Sequence, residues 1–179
     1  MTITQEGPTR TGGLSSGPTA ESSAGADSSP LALLDLVRGY AEEFEELLPR
    51  PSSALMARSY ELLELTDELE IWAIHWPKDQ GLELHDHGGS SGALWVVAGT
   101  LEEHSVAAGA RLVHRSIEVG GGTAFGPTYV HDVVNASDAP ATSVHVYSPP
   151  MASMTFYRQQ GAGLVVDRAE YRADPAWAP

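Results

Sequence analysis

The chain's main resource for chemistry is its seven histidines, and they are unevenly spread. His85 and His87 flank Asp86. In a strand, residues two apart share a face, so both imidazoles can converge on one point while Asp86 turns away. Converging neutral imidazoles are ligands for iron, zinc, copper or nickel. A third histidine, His131, follows the glycine-rich stretch 120–126 and stands four positions before Asn135. Further on, Ser143, His145 and Tyr147 alternate with Val144 and Val146, which puts three hydrogen-bonding side chains on one strand face. There is no cysteine, so a disulfide framework, a cysteine-ligated zinc or iron–sulfur site and a cysteine nucleophile are all excluded. His75, His104 and His114 sit in no motif and read as strand or surface histidines. The glutamates between 42 and 46, and the pair Glu102–Glu103, read as solvated faces.

The elements that must position these groups are mostly strands. Residues 59–160 break into short runs separated by glycine-rich turns: 69–76, 82–87, 92–98, 100–107, 111–119, 123–125, 131–135, 142–147 and 155–157. Many short strands without βαβ alternation predict an all-β sandwich or barrel. Before them, Leu33, Leu34, Val37, Tyr40, Phe44, Leu47 and Leu48 recur at helical steps behind Ser29 as N-cap and Pro30 as first residue. Pro49 and Pro51 end that helix, and a short second one is expected to about residue 57. Residues 1–29 are rich in Ser, Thr, Gly, Ala and Pro and are expected to be a disordered tail. The expected domain is therefore 30–179: helices over 30–57, a barrel over 58–160 and an irregular, acidic C-terminal strap over 161–179.

With 10 basic and 24 acidic residues, the formal net charge is −14. That excess argues against nucleic acid or an anionic membrane as partner. No apolar run is long enough to span a bilayer, and no secretory signal is recognisable. The expectation is a monomeric cytoplasmic protein.

The histidine pattern resembles the two motifs of the cupin superfamily. His85-Asp86-His87 with Gly99 stands for the first, and Gly121, Pro127, His131 and Asn135 for the second. The first motif's acid position holds Gly92 instead. The run Ser143-Val-His-Val-Tyr-Ser-Pro-Pro150, coupled to the His-Asp-His triplet, is similar to the thiol dioxygenase branch of the cupins and specifically to cysteine dioxygenases. The likeness extends over about residues 40–160.

This resemblance implies a jelly-roll-like cupin barrel with non-haem iron(II) held by His85, His87 and His131. It implies that Tyr147 hydrogen-bonds substrate and oxygen, oriented by His145 and Ser143, and that Arg58 binds the substrate carboxylate. Arg50 is the competing arginine. Trp76 would form part of the pocket wall, and Ser148–Pro149 is often cis in the family. A cysteine that cross-links to the tyrosine in animal members is Gly92 here, so no thioether can form. The implied activity is oxidation of L-cysteine by O2 to cysteine sulfinic acid. Relatives acting on 3-mercaptopropionate typically carry glutamine in place of the arginine. The alternatives are dioxygenation of that or another small thiol, and a non-catalytic metal-binding cupin.

Overall fold

The computed structural model describes residues 28–43, 57–173 and 179. Helix α1 (Pro30–Glu43) opens the described chain. Ser29 caps it: the Ala32 amide donates to Ser29 Oγ at 3.4 Å and the Leu33 amide to the Ser29 carbonyl at 3.0 Å. Leu33, Val37 and Ala41, spaced by four residues, are the buried face. The expected continuation through Phe44, Leu47 and Leu48, the short second helix, Arg50 and the tail to residue 27 lie outside the described residues.

Eleven strands follow among the described residues: β1 (Ser59–Leu65), β2 (Glu70–Trp76), β3 (Gly81–His85), β4 (Ser91–Ala98), β5 (Thr100–Ala107), β6 (Arg111–Glu118), β7 (Gly122–Phe125), β8 (His131–Val134), β9 (Ala141–Ser148), β10 (Ser153–Gln160) and β11 (Gly163–Tyr171). They form two antiparallel sheets, ordered β1-β2-β9-β4-β7 and β11-β10-β3-β8-β5-β6. The expected all-β architecture with a leading helix is what the chain adopts.

The five-stranded sheet is covered on both sides, which explains its sequence. Every residue of β2 is buried. Trp72, Ile74 and Trp76 face the barrel interior with Leu94, Phe125 and Phe156. Ile71 and Ala73 alternate to the other face, where they meet Leu33 and Val37 of α1. A strand buried on both faces reads as a continuous apolar run, as Glu70–Trp76 nearly does.

Two expectations need correction. Strand β3 stops at His85, so His87 stands on the turn after it. The C-terminal region is not an irregular strap from 161 onward. Gly163–Tyr171 is an edge strand paired with β10 through a two-residue turn at Gly161-Ala162, with one register shift at Asp167. Gly161 has φ 61°, the conformation such tight hairpins require and glycine supplies. The prolines that suggested irregularity, Pro175 and Pro179, come after this strand.

The packing of α1 yields a direct test. Val37 is fully buried against the five-stranded sheet. Val37→Ala should destabilise the fold by about 1–3 kcal/mol, the scale of removing buried methyl groups. Urea unfolding monitored by tryptophan fluorescence measures it; an unchanged midpoint would mean that the helix does not contribute to the core.

Candidate metal centre and relay

His85 ends β3, His131 begins β8 directly opposite it in register, and His87 follows on the turn. That turn is fastened through Asp86. Its Oδ1 accepts from the Gly88 amide at 2.9 Å and the Thr155 amide at 3.2 Å, and its Oδ2 accepts from the Tyr157 hydroxyl at 2.6 Å. Asp86 thus ties the turn to β10 and leaves the two flanking imidazoles on the inside. All three rings are buried, and one nitrogen from each lies within 4.8 Å of the others.

The outer nitrogens define the tautomers. His85 Nδ1 donates to the Glu83 carbonyl at 2.7 Å, and His131 Nδ1 donates to Glu103 Oε1 at 2.7 Å. A proton on Nδ1 leaves the Nε2 lone pair free to face inward. His131 Nε2 lies 3.3 Å from His87 Nε2, while His87 Nδ1 is buried and has no hydrogen-bond partner among the described residues. Burial lowers the pKa of His85 and His87 well below the ordinary value, and neighbouring histidine charge lowers it further. Three imidazoles crowded into one buried cup, each with a ring nitrogen within 4.8 Å of the others, are a donor set that a transition metal ion satisfies. The residues present fit such an ion.

Glu103 is the group that sequence reasoning missed. It read as solvated, yet it is 1% exposed. Besides His131, it accepts from Arg115 Nε at 3.2 Å and from the Tyr129 hydroxyl at 3.3 Å. Burial pushes its carboxyl up, but hydrogen bonds and charge from His131 and Arg115 outweigh that and hold it below its ordinary value. An anion at Nδ1 makes the His131 Nε2 lone pair a stronger donor. The signal was present in the alternation of β5: Glu103 shares a face with buried Leu101.

The second group lies on β9. The Trp76 indole donates to Ser143 Oγ at 2.8 Å, Ser143 Oγ meets His145 Nε2 at 2.8 Å, and His145 Nδ1 meets the Tyr147 hydroxyl at 3.1 Å. An indole N–H only donates. Ser143 Oγ therefore accepts from Trp76, and its proton or its second lone pair meets His145 Nε2. With the Ser143 proton directed at His145 Nε2, the imidazole carries its own on Nδ1 and donates to Tyr147, whose phenol proton then remains available. Burial lowers the His145 pKa to about 3, so the ring is neutral. Burial, then the charge of Glu70, raises Tyr147 well above the usual phenol range. The Tyr147 ring centroid lies 5.2 Å from that of His87, which brings relay and cup together.

Arg58 precedes β1. Its guanidinium lies 5.4 Å from the Trp76 ring and 5.8 Å from the Tyr60 ring, and it donates to the Pro179 carbonyl oxygen at 2.6 Å. Its charge is felt by His85, His145 and Tyr147. Arg58, Trp76, the relay and the cup thus occupy one end of the barrel. Asn135 is elsewhere occupied, donating to the Trp76 and Ala139 carbonyls at 2.9 and 2.8 Å. The Ser148–Pro149 bond is cis.

Gly92 explains the absent acid. A Cβ there would lie 2.6 Å from two Phe125 ring atoms and 2.7 Å from the Val146 carbonyl oxygen. The Phe125 ring fills that space and stacks on His87 at 4.5 Å and 19°. An aromatic wall replaces a fourth protein ligand.

Comparison with known proteins agrees with this geometry. The family model for cysteine dioxygenase type I matches residues 57–160. The structure of TT1209 from Thermus thermophilus is similar with a TM-score of 0.50 and 16% identity, over 59% of this chain and 94% of that one. An oxalate oxidase is similar with a TM-score of 0.52 and 13% identity, over 60% of this chain and 59% of that one. At these identities the two structures speak to the fold alone, which is the cupin double-stranded β-helix.

Two tests follow from the geometry. Gly92→Glu should be destabilising by about 1–3 kcal/mol, because Phe125 and the Val146 carbonyl leave no room; a chemical denaturation midpoint at or above that of the unaltered chain would contradict this. The second concerns pH. His145 has a folded pKa of about 3 against an ordinary 6.5, so the unfolded chain binds the extra proton. The stability from its neutral burial is complete above 6.5 and is lost as pH falls towards 3. Melting temperature should therefore fall on acidification from pH 6.5, and His145→Gln should flatten that slope. An equally steep slope in the variant would contradict a neutral buried His145.

Proposed function

The chain belongs to the cysteine dioxygenase type I family, and from that premise we propose that it oxidises the thiol of L-cysteine with O2 to cysteine sulfinic acid. The supporting observation is the coincidence, at one end of the barrel, of a three-histidine cup, a hydrogen-bonded phenol and a guanidinium. Iron(II) held by His85, His87 and His131 would supply coordination of the thiol, with the lowered thiol pKa that brings, and the redox partner for O2. The stoichiometry closes without another reductant: the sulfur gains both oxygen atoms and loses the electrons.

The chain's own residues carry the rest. Arg58 binds the substrate carboxylate. Cation–π contact with Trp76 and Tyr60 holds the guanidinium in place, and its planar fork favours a bidentate pair and so an orientation as well as a charge. In the structure that guanidinium donates to a backbone oxygen of Pro179, a contact that a bidentate substrate carboxylate replaces with two parallel hydrogen bonds. Tyr147 keeps its proton at neutral pH and donates it as a hydrogen bond to the reacting oxygen or the carboxylate, since His145 already occupies one of its acceptor positions. This requires Ser143 to donate to His145 Nε2 while accepting from the Trp76 indole, a line of contacts the distances allow. Phe125 and Phe156 wall the cup with apolar surface, which keeps stray water from the histidines.

The choice of L-cysteine rests on Arg58, and an oxygen electrode tests it. With iron(II) present, uptake should be faster with L-cysteine than with 3-mercaptopropionate or cysteamine at equal concentration. Arg58→Gln should lower kcat/KM for L-cysteine by about 10–100-fold, the scale of a hydrogen bond to a charged group. Faster uptake with 3-mercaptopropionate would overturn the substrate assignment, and no thiol-dependent uptake would favour a non-catalytic metal-binding protein.

A further inference from the structure

The same strand that sends Glu103 inward carries a second histidine cluster outward. In β5, Leu101 and Glu103 are buried, whereas Glu102 and His104 alternate to the outer face of the sheet. On the neighbouring strand β6, His114 stands directly opposite His104 in register. On the other neighbour, β8, Asp132 also stands directly opposite His104. Three adjacent strands thus place His114, His104 and Asp132 in one row, with Glu102 two residues along.

The contacts within this row are those of a metal site. His104 Nδ1 donates to Asp132 Oδ1 at 2.7 Å, which fixes the tautomer and leaves Nε2 with its lone pair. A carboxylate behind a histidine in this way both orients the ring and strengthens it as a ligand. The His104 and His114 rings lie 5.0 Å apart at 30°, and His114 Nε2 is 3.3 Å from Glu102 Oε2. One ligand atom from each of Glu102, His104 and His114 lies within 4.8 Å of the others. A tetrahedral ion with bonds of about 2.0–2.1 Å needs ligand atoms about 3.3 Å apart. The Glu102–His114 pair already has that spacing, and half-exposed side chains can rotate to complete it. Glu102 and Asp132 together balance the two charges of a divalent cation.

We propose that Glu102, His104 and His114, backed by Asp132, bind a divalent cation of borderline softness such as zinc on the outer face of the barrel, separately from the histidine cup. Two histidines and one carboxylate suit zinc and leave the fourth position to water. The bound ion clips β5 to β6 at the edge of the six-stranded sheet, on the strand whose opposite face supports His131.

Equilibrium dialysis of the full chain against zinc chloride at micromolar free zinc tests this. His114→Gln, at an exposed strand position, and independently Glu102→Gln, should each bind one equivalent fewer than the unaltered chain. In a His87→Ala background, which disables the cup, one equivalent should remain and should vanish when His114→Gln is added. Asp132→Asn should keep the site but weaken it by about 10–100-fold, the usual cost of losing the group behind a ligating histidine. Circular dichroism shows that each variant is folded before it is scored. If neither His114→Gln nor Glu102→Gln lowers the zinc stoichiometry, or if the His87→Ala chain binds no zinc, the proposal is wrong.

Discussion

The hydrogen bond from His131 to Glu103 is the contact on which the site depends. It places a charge inside a barrel whose other interior groups are mostly apolar or neutral. A buried carboxylate is tolerable only if it is paired and hydrogen-bonded. Glu103 meets that condition through His131, Arg115 and Tyr129. Removing one partner of such a pair typically costs about 3–5 kcal/mol, so the arrangement fixes more than a ring. It sets the register between β5 and β8, because Glu103 reaches His131 only when Ser105 lies opposite His131. The same register turns Glu102 and His104 to the outside.

Around that anchored histidine, function follows from what is left neutral. His85, His87 and His145 are held uncharged by burial, so they are ready to coordinate or to donate without first losing a proton. The relay on β9 begins at an indole that can only donate. Its far end is a phenol that keeps its proton. Phe125 closes the side of the cup where an acidic ligand would otherwise stand, and Gly92 is the condition for that closure. With no cysteine in the chain, Tyr147 is held by packing and hydrogen bonds alone.

Much of this was legible in the residues. Period-two alternation placed Ser143, His145 and Tyr147 on one face, and the structure gives them one continuous hydrogen-bonded line. The run 69–76 reads as a strand, and in β2 Trp76 and Ile71 do fall into different core clusters on its two faces. What failed was reading charge as exposure. Glu103 beside Glu102 looked like a solvated pair, and Glu70 gave no hint of its buried contacts to the Met151 amide and to Arg172. Both glutamates are compensated by partners distant in sequence, and such partners are fixed by sheet order rather than by local pattern. The strand at 163–171 was obscured for a related reason: prolines beyond its end coloured the reading of the whole segment. Pairing with β10, a tertiary fact, decides it. Arg58 illustrates the same limit, since only the packing of Trp76 and Tyr60 shows where its guanidinium rests.

In the proposed reaction both atoms of one O2 molecule end on the sulfur of L-cysteine. Turnover of the iron(II)-supplied protein under 18O2, followed by mass spectrometry of the product, measures this directly. The expected product is a sulfinic acid heavier by two 18O atoms, with none drawn from water. A product carrying one labelled oxygen, or only a disulfide, would contradict it.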